Sequence, residues 1–496
     1  MSDVPLASHA SRPPGFRSGE RVFLYLVIAS CALVSGLALV GPLASLTAHR
    51  SIDYGEGWNA YWAAAAMGAG PLYAKSHVLV ANNYPPLSFY VSGLLGKMTG
   101  DNIVAGRIVA TGSMLCVAAL IATIVRRCGA SRAWATAAAL LFLTYAILYF
   151  SQFVVVNNPQ WLGQAVMLAG VLPLLSADGS PPTPRRILCA TGIMVLAGLV
   201  KHNQIALPLS ATLWLARVEP RALRTWIAAG IGWALVACLL LFALFGPAIF
   251  IELLAFKRTT DTGNFYEGLR KIGCFAALAA VALVSAPGRW RDRRWLFFAL
   301  YALFGLLFGA LQRLGSGVYI NAHFDALIAL SILSGIALGT PVASPGRMQA
   351  PAARALLLIA LLLPLALVAK SHVVRSLREF RDRRETAAAW NGMIGDVRAA
   401  TGPVLCEVPA VCYWAGKPFS LDFFAYGQKL RTGTSPLPLA NFIDHRRAAL
   451  LILDPDYDRQ SGQGRLPAPF PALMRARYSV VRSVPGSIEE RAPDAR

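Results

Sequence analysis

The chain has 496 residues, 56% of them hydrophobic and only 14% charged, with a mean hydropathy of +0.52. Soluble domains carry about 25% charged residues, so this composition excludes an ordinary soluble protein and places most of the chain in lipid. The net charge of +21 lies largely in short loops between apolar runs, as cytoplasmic loops of membrane proteins do. No basic run with interleaved aromatics offers a nucleic-acid surface.

Residues 1–20, rich in Ser, Pro and Gly, are expected to form a disordered cytoplasmic terminus. The first apolar run, Val22 to Leu43, is long and lacks a small-residue cleavage site, so it reads as a retained signal-anchor helix. Residues 44–102 form the first outer loop, which carries Asp53-Tyr54-Gly55-Glu56-Gly57. Carboxylates beside a membrane are costly to desolvate and persist where they hold a proton, a metal or a substrate. Asp53 is the candidate general base, or the ligand of a divalent ion such as Mg2+ or Mn2+, with Glu56 second in either role. In a helix the two acids would share a face; Gly55 and Gly57 point instead to a tight turn. Residues 58–69 read as an interfacial helix with Trp58, Tyr61 and Trp62 on one side. The apolar run Ser88 to Leu95, after Asn83-Tyr84-Pro85-Pro86-Leu87, is too short to span and is expected to lie in the interface or to re-enter from the outer face.

Eleven apolar spans are expected, at 22–43, 103–125, 133–153, 159–176, 187–200, 204–216, 225–246, 270–286, 295–311, 318–339 and 354–370. Between them the arginines alternate. Arg126, Arg127 and Arg132, then Arg185 and Arg186, then Arg217, Arg221 and Arg224, then Arg289, Arg291, Arg293 and Arg294, then Arg347 and Arg354 all fall on the side of the amino terminus, which is therefore cytoplasmic. This requires Lys201-His202-Asn203-Gln204 to break the stretch 187–216 into a hairpin whose two arms are short for spans.

The topology puts Lys201, His202 and Asn203 at an outer tip, where the lysine meets a lipid phosphate as a point charge or snorkels to the interface. Arg107, opening the second span, has the same two readings. The outer loop 247–269, with Lys257 and Arg258, either closes over a substrate or is a solvated face. His323 and Asp325, inside a late span, form a functional pair or a satisfied core pair. Asn157, Asn158 and Gln160 are placed at helix ends lining the same outer cavity. A lipid-linked substrate fits such a boundary site, its sugar contacting aromatics (Tyr54, Trp58, Tyr84) and its phosphate a cation. Beyond residue 371 the pattern turns polar, with a helix over 377–400 and strands at Val404–Val408, Ala449–Leu453 and Tyr478–Val481, an α/β unit outside the membrane. Among eight cysteines, only Cys406 and Cys412 pair plausibly as a disulfide. No phosphate loop, dinucleotide fingerprint, zinc spacing or nucleophile elbow is present.

The acidic loop motif, the aromatic helix, Gly70-Pro71-Leu72-Tyr73, Tyr84-Pro85-Pro86-Leu87 and Gly106-Arg107 follow in an order that resembles bacterial polyprenyl-phosphate-sugar-dependent glycosyltransferases of the GT-C class, similar to the dolichyl-phosphate-mannose protein mannosyltransferases and the aminoarabinose transferases. The stretches Lys201–Leu215 and Asn321–Gly335 resemble that family too. The resemblance implies an all-α polytopic GT-C-like membrane fold of about eleven transmembrane helices (residues 21–370) with a C-terminal soluble α/β domain (371–496) in the periplasm. It implies inverting transfer of a sugar from a polyprenyl-phosphate donor to a glycan, glycolipid or protein acceptor on the outer face of the bacterial inner membrane. Two departures stand out. The family's adjacent Asp and Glu are not adjacent here, and Tyr84 stands where many relatives carry a lysine before the two prolines, which moves the phosphate contact to Lys201 or Arg107. A transporter or flippase would show repeated halves, and no internal symmetry is visible; a non-catalytic envelope-assembly protein with a decayed site is the other rival.

Overall fold

A computed structural model describes residues 18–73, 79–176, 180–340, 351–433, 443, 445, 447–457, 464–484 and 488–494. The expected disordered terminus up to residue 17 and the loop arginine Arg347 lie outside these residues. Residues 18–20 already belong to the first helix, α1 (Ser18–Ala44). The segment between the first two long apolar helices folds as α2 (Tyr54–Ala64), extended by a short π-helical stretch to Ala69, and α3 (Leu87–Thr99). Then come α4 (Asn102–Arg127), α5 (Arg132–Tyr149), α6 (Gln160–Ala169), α7 (Pro184–Val200), α8 (Ala206–Val218) and α9 (Pro220–Phe245). Two outer helices, α10 (Ala248–Leu254) and α11 (Thr262–Ile272), lead into α12 (Ala276–Ser285), α13 (Arg293–Gln312), α14 (Phe324–Gly339) and α15 (Pro351–Arg381).

Among the described residues eight helical rods are long and apolar enough to cross a membrane: α1, α4, α5, α9, the joined α11–α12, α13, α14 with its preceding turn, and α15. The other three expected spans are α6, α7 and α8, helices of 10, 17 and 13 residues. A helix that is apolar all round belongs inside, and α14 obeys: every residue from Phe324 to Leu338 is buried, packed by α13, α5, α12 and α4. At the other extreme, Ile231, Leu235 and Leu239 of α9 are exposed, as a lipid-facing surface is.

The expected break after α7 is present. Lys201 leaves the helix with extended φ −154° and ψ 112°, and α8 starts at Ala206. Both arms lean on α9, through Trp233 Nε1 donating to the Leu188 carbonyl (3.1 Å) and Trp226 Nε1 donating to Thr212 Oγ1 (2.9 Å). The loop arginines gather at one end of the bundle, where they bond carbonyls left open at helix ends. Arg127 donates to Leu172 O (2.6 Å), Arg186 to Pro173 O (2.7 Å) and Arg294 to Arg127 O and Ser176 O, while Arg354 pairs with Glu20 at 3.0 Å.

Helix α15 runs unbroken through residue 371, so the change from apolar to polar composition happens within one helix. It is followed by α16 (Arg383–Ala399), β1 (Val404–Cys406), α17 (Pro409–Trp414), α18 (Phe423–Arg431), β2 (Leu450–Leu453), α19 (Phe470–Arg477), β3 (Tyr478–Val484) and β4 (Ile488–Pro493). The sheet order is β1-β2-β4-β3, with β1 parallel to β2 and the other neighbours antiparallel. The polar strand β4, Ile-Glu-Glu-Arg-Ala-Pro, has no apolar alternation to reveal it in the sequence. Cys406 and Cys412 are joined by a disulfide.

This C-terminal unit sits on the first outer loop. Ala60 of α2 and Ile103 of α4 share one apolar core with Trp390, Val408, Val411 and Trp414. The aromatic helix is therefore covered by protein instead of lying on lipid: Trp58 and Trp62 are buried, and Tyr61 stacks on Phe419 at 4.9 Å. Gly57 makes the approach possible, because a Cβ there would fall 2.1 Å from the amide nitrogen of Ala410 in α17. Gly57→Ala is expected to push α17 away at a cost of about 1–3 kcal/mol, typical of overpacking. Limited proteolysis should release the C-terminal unit faster than in wild type, whereas Gly36→Ala, with nothing within 4 Å, should leave the pattern unchanged.

Candidate functional site

The acidic pentapeptide is neither a free loop nor a pair of acids facing one way. Its last four residues are the first turn of α2, with Asp53 as the N-cap. Glu56 points inward and meets Arg107 in a two-pronged pair, Nε to Oε1 and Nη2 to Oε2 both at 2.7 Å, with each side chain fully buried. The remaining guanidinium donors bind the carbonyls of Ser45, Leu46, Ala48 and Arg50. Glu56 also accepts from the amides of Ile52 (2.8 Å) and Asn157 (3.0 Å). Gly106 leaves the space Asn157 needs, since a Cβ would fall 1.8 Å from its Oδ1. Burying two charges is tolerable only when geometry and hydrogen bonds are complete, as they are here.

Asp53 takes a different course. Its carboxylate makes no capping bond to α2 and lines a cavity of about 350 Å3. Burial first, and the nearby Glu56 charge second, push its carboxyl up to about 6, against the opposing pull of Arg465. Ten of the expected residues line this cavity: Asp53, Tyr54, Trp58, Tyr84, Asn158, Gln160, Lys201, His202, Asn203 and Arg258. Lys201 is buried, its Nζ 3.5 Å from Tyr84 Oη and 4.9 Å above the ring. Tyr84 thus holds the cation in place. Arg258 lies over the rings of Phe256 and Phe424, each at 5.7 Å, and donates to Ser316 O at 3.4 Å. Among the described residues neither Lys201 nor Arg258 forms a salt bridge, and burial holds the Arg258 guanidinium below its ordinary value. Asn203 is fixed by an exchange of hydrogen bonds with Gln312.

Six expected residues lie elsewhere, among them Asn157, which is held against Glu56. Glu56 and Arg107 are occupied with each other. Lys257 is exposed on the loop that turns Arg258 inward. His323 is buried beneath the cavity floor against Phe275 and Gly309, and Asp325 accepts from Tyr301 Oη at 2.8 Å as part of the core. The sequence reading missed Tyr319, Asp422, Phe424, Tyr457 and Arg465, which also line the cavity. Asp422 carried one local signal, an acid before an aromatic-led helix. It caps α18 through the Ala425 amide (2.8 Å) while accepting from Tyr54 Oη (2.6 Å) and Trp58 Nε1 (3.0 Å). Nothing local distinguishes Arg465 from the other arginines.

A divalent ion shared by Asp53 and Glu56 does not fit this arrangement. Glu56 is spent on Arg107, Asp53 has the Arg465 charge nearby, and among the described residues no group of three or more His, Cys, Asp or Glu is placed to hold a metal.

No protein-family model and no curated protein matches the chain. Two solved structures are similar to it over nearly their whole length. ArnT from Cupriavidus metallidurans bound to undecaprenyl phosphate aligns at 14% identity and a TM-score of 0.61, covering 97% of this chain and 99% of that one. The same protein in the apo state aligns at 15% identity and 0.60, covering 96% and 98%. The fold is therefore GT-C, an ArnT-like membrane bundle with a small C-terminal sheet.

Because Glu56 and Arg107 are fully buried, removing one leaves the other charge uncompensated. Glu56→Gln and Arg107→Met are each expected to destabilise the protein by about 3–5 kcal/mol. The thermal unfolding midpoint of detergent-solubilised protein should fall sharply for both, whereas Asp53→Asn should leave it near wild type.

Proposed function

We propose that the chain is an integral membrane glycosyltransferase that moves a sugar from a polyprenyl-phosphate donor to a hydroxyl acceptor at the outer face of the membrane. One observation carries the reading: a cavity at the end of the bundle away from the arginine clusters holds Asp53, whose carboxylate makes no capping bond, together with Lys201 and Arg258, neither of which forms a salt bridge among the described residues. The ArnT neighbour's bound undecaprenyl phosphate supports a donor of this kind. The Cys406–Cys412 disulfide supports an oxidising compartment for the cavity side, hence a cytoplasmic arginine end.

In this reading Lys201 and Arg258 take the donor phosphate, one as a point charge and the other as a planar fork. Apolar Leu253 and Phe256 at the same wall meet the first part of the lipid. The acceptor oxygen attacks the anomeric carbon as the carbon–phosphate-oxygen bond breaks. The hydroxyl proton passes to Asp53, and the departing phosphate keeps the electron pair of the broken bond beside the two cations. Attack from the face opposite the phosphate inverts the anomeric centre. A phosphate is already a good leaving group, so positioning and fixed charge supply much of the barrier lowering. A carboxyl lifted to about 6 is still ionised at neutral pH and a stronger base than an ordinary aspartate.

The test is a reconstituted assay with purified full-length protein and a polyprenyl-phosphate sugar. Loss of the base in Asp53→Asn should lower kcat about 10²–10⁴-fold. In wild type, kcat/KM should fall as the pH drops through about 6, because the base must be ionised to act. Lys201→Met and Arg258→Met should each raise the donor KM about tenfold, one lost charged contact. Full activity in Asp53→Asn would remove the assignment.

A further inference from the structure

One corner of the cavity gathers acidic charge around a single guanidinium. On the wall formed by the membrane helices and the outer loop, Lys201 and Arg258 face inward without salt-bridge partners among the described residues. Asp422 lines the cavity too, but its charge acts on Arg258; the acidic corner is formed by Asp53 beside a single guanidinium, Arg465. That cation is already matched twice. Its Nη1 lies 2.9 Å from Glu407 Oε1 and 3.4 Å from Asp454 Oδ2, and its head lies over the rings of Tyr54 at 4.7 Å and Tyr457 at 3.7 Å. Three carboxylates, Asp53, Glu407 and Asp454, therefore stand near one guanidinium, and all of these groups but Asp53 come from the C-terminal domain.

A phosphate or carboxylate offered to this corner would meet acidic charge in a site with little water to screen it, and like-charge contacts of that kind reject a partner. A neutral sugar meets no such penalty. Its hydroxyls have carboxylate acceptors and guanidinium donors, and its C–H faces have the Tyr54 and Tyr457 rings. We infer that the acceptor is a neutral carbohydrate, seated against Tyr54, Tyr457 and Arg465 with one hydroxyl aimed at Asp53, and that the C-terminal domain supplies its specificity. This rests on the transferase reading for the direction of transfer. The docking wall itself depends only on the charge and the rings.

The experiment uses full-length protein and two matched probe pairs, octyl β-galactoside with its 6-phosphate and octyl β-mannoside with its 6-phosphate. Binding is measured by calorimetry on wild-type protein without donor, which keeps every charge of the wall, and transfer is measured with the donor added. At least one neutral glycoside should bind about tenfold more tightly than its phosphate ester, a 1.4 kcal/mol preference. Arg465→Met should raise the acceptor KM about tenfold, as a lost polar contact does, with the donor KM unchanged. Should that variant fail to fold, Asp454→Asn keeps the guanidinium and removes one carboxylate, and it should narrow the preference against the phosphate ester. Neutral glycosides that bind but receive no sugar would uphold the wall and sink the transferase reading. Tighter binding of the phosphate esters, no binding of either neutral probe, or a change in donor KM in place of acceptor KM would overturn the inference.

Discussion

The Glu56–Arg107 pair is the constraint on which the rest of the outer structure depends. All three guanidinium nitrogens are bonded, two of them to Glu56, and the four carbonyls they collect belong to the chain leaving α1. This pins the loop 45–50, the first turn of α2 and the start of α4 to one point. With Glu56 turned inward, the residue three positions earlier is placed at the helix start as an N-cap whose side chain makes no capping bond. Asp53 thus faces the cavity because Glu56 faces the core. The glycines serve the same geometry, Gly57 by admitting α17 and Gly106 by admitting Asn157.

From that anchor the cavity is assembled by parts far apart in the chain. The break between α7 and α8 delivers Lys201, the loop before α11 delivers Arg258, and the C-terminal domain closes the far wall through Asp422 and Arg465. Tyr54 and Trp58 join the two halves, since both donate to Asp422 while lining the space beside Asp53. Cations and a carboxylate lining one cavity are the physical basis of the proposed function, in which Lys201 and Arg258 take a phosphate and Asp53 takes the proton of a hydroxyl. The cavity's position at the end of the apolar helices away from the arginine clusters suits a substrate whose tail stays in lipid.

Much of the fold was legible in the sequence because it rests on local composition. Apolar runs marked the helices, arginine positions marked the end where they gather, and the Lys-His-Asn-Gln interruption marked the turn between α7 and α8. Asp53, Tyr54, Trp58, Tyr84, Lys201 and Arg258 could be singled out as polar or aromatic groups at an apolar boundary. What could not be read was direction. Glu56 and Arg107 were each plausible at the site, and only tertiary structure shows that they find each other across 51 positions. Lys257 and Arg258 are adjacent and equally charged, yet one faces solvent and the other the cavity. The far wall was invisible because Asp422 and Arg465 reach Asp53 through the docking of a whole domain, which no spacing or periodicity encodes. The span count of eleven met the same limit, since α6, α7 and α8 owe their placement to packing more than to length.

The most direct test of the account is a lipid analysis of cells lacking this gene, complemented with wild type or with Asp53→Asn. The account predicts that a polyprenyl-phosphate sugar accumulates and one envelope glycan loses a residue, and that wild type alone restores both. An unchanged envelope, or full complementation by Asp53→Asn, would contradict it.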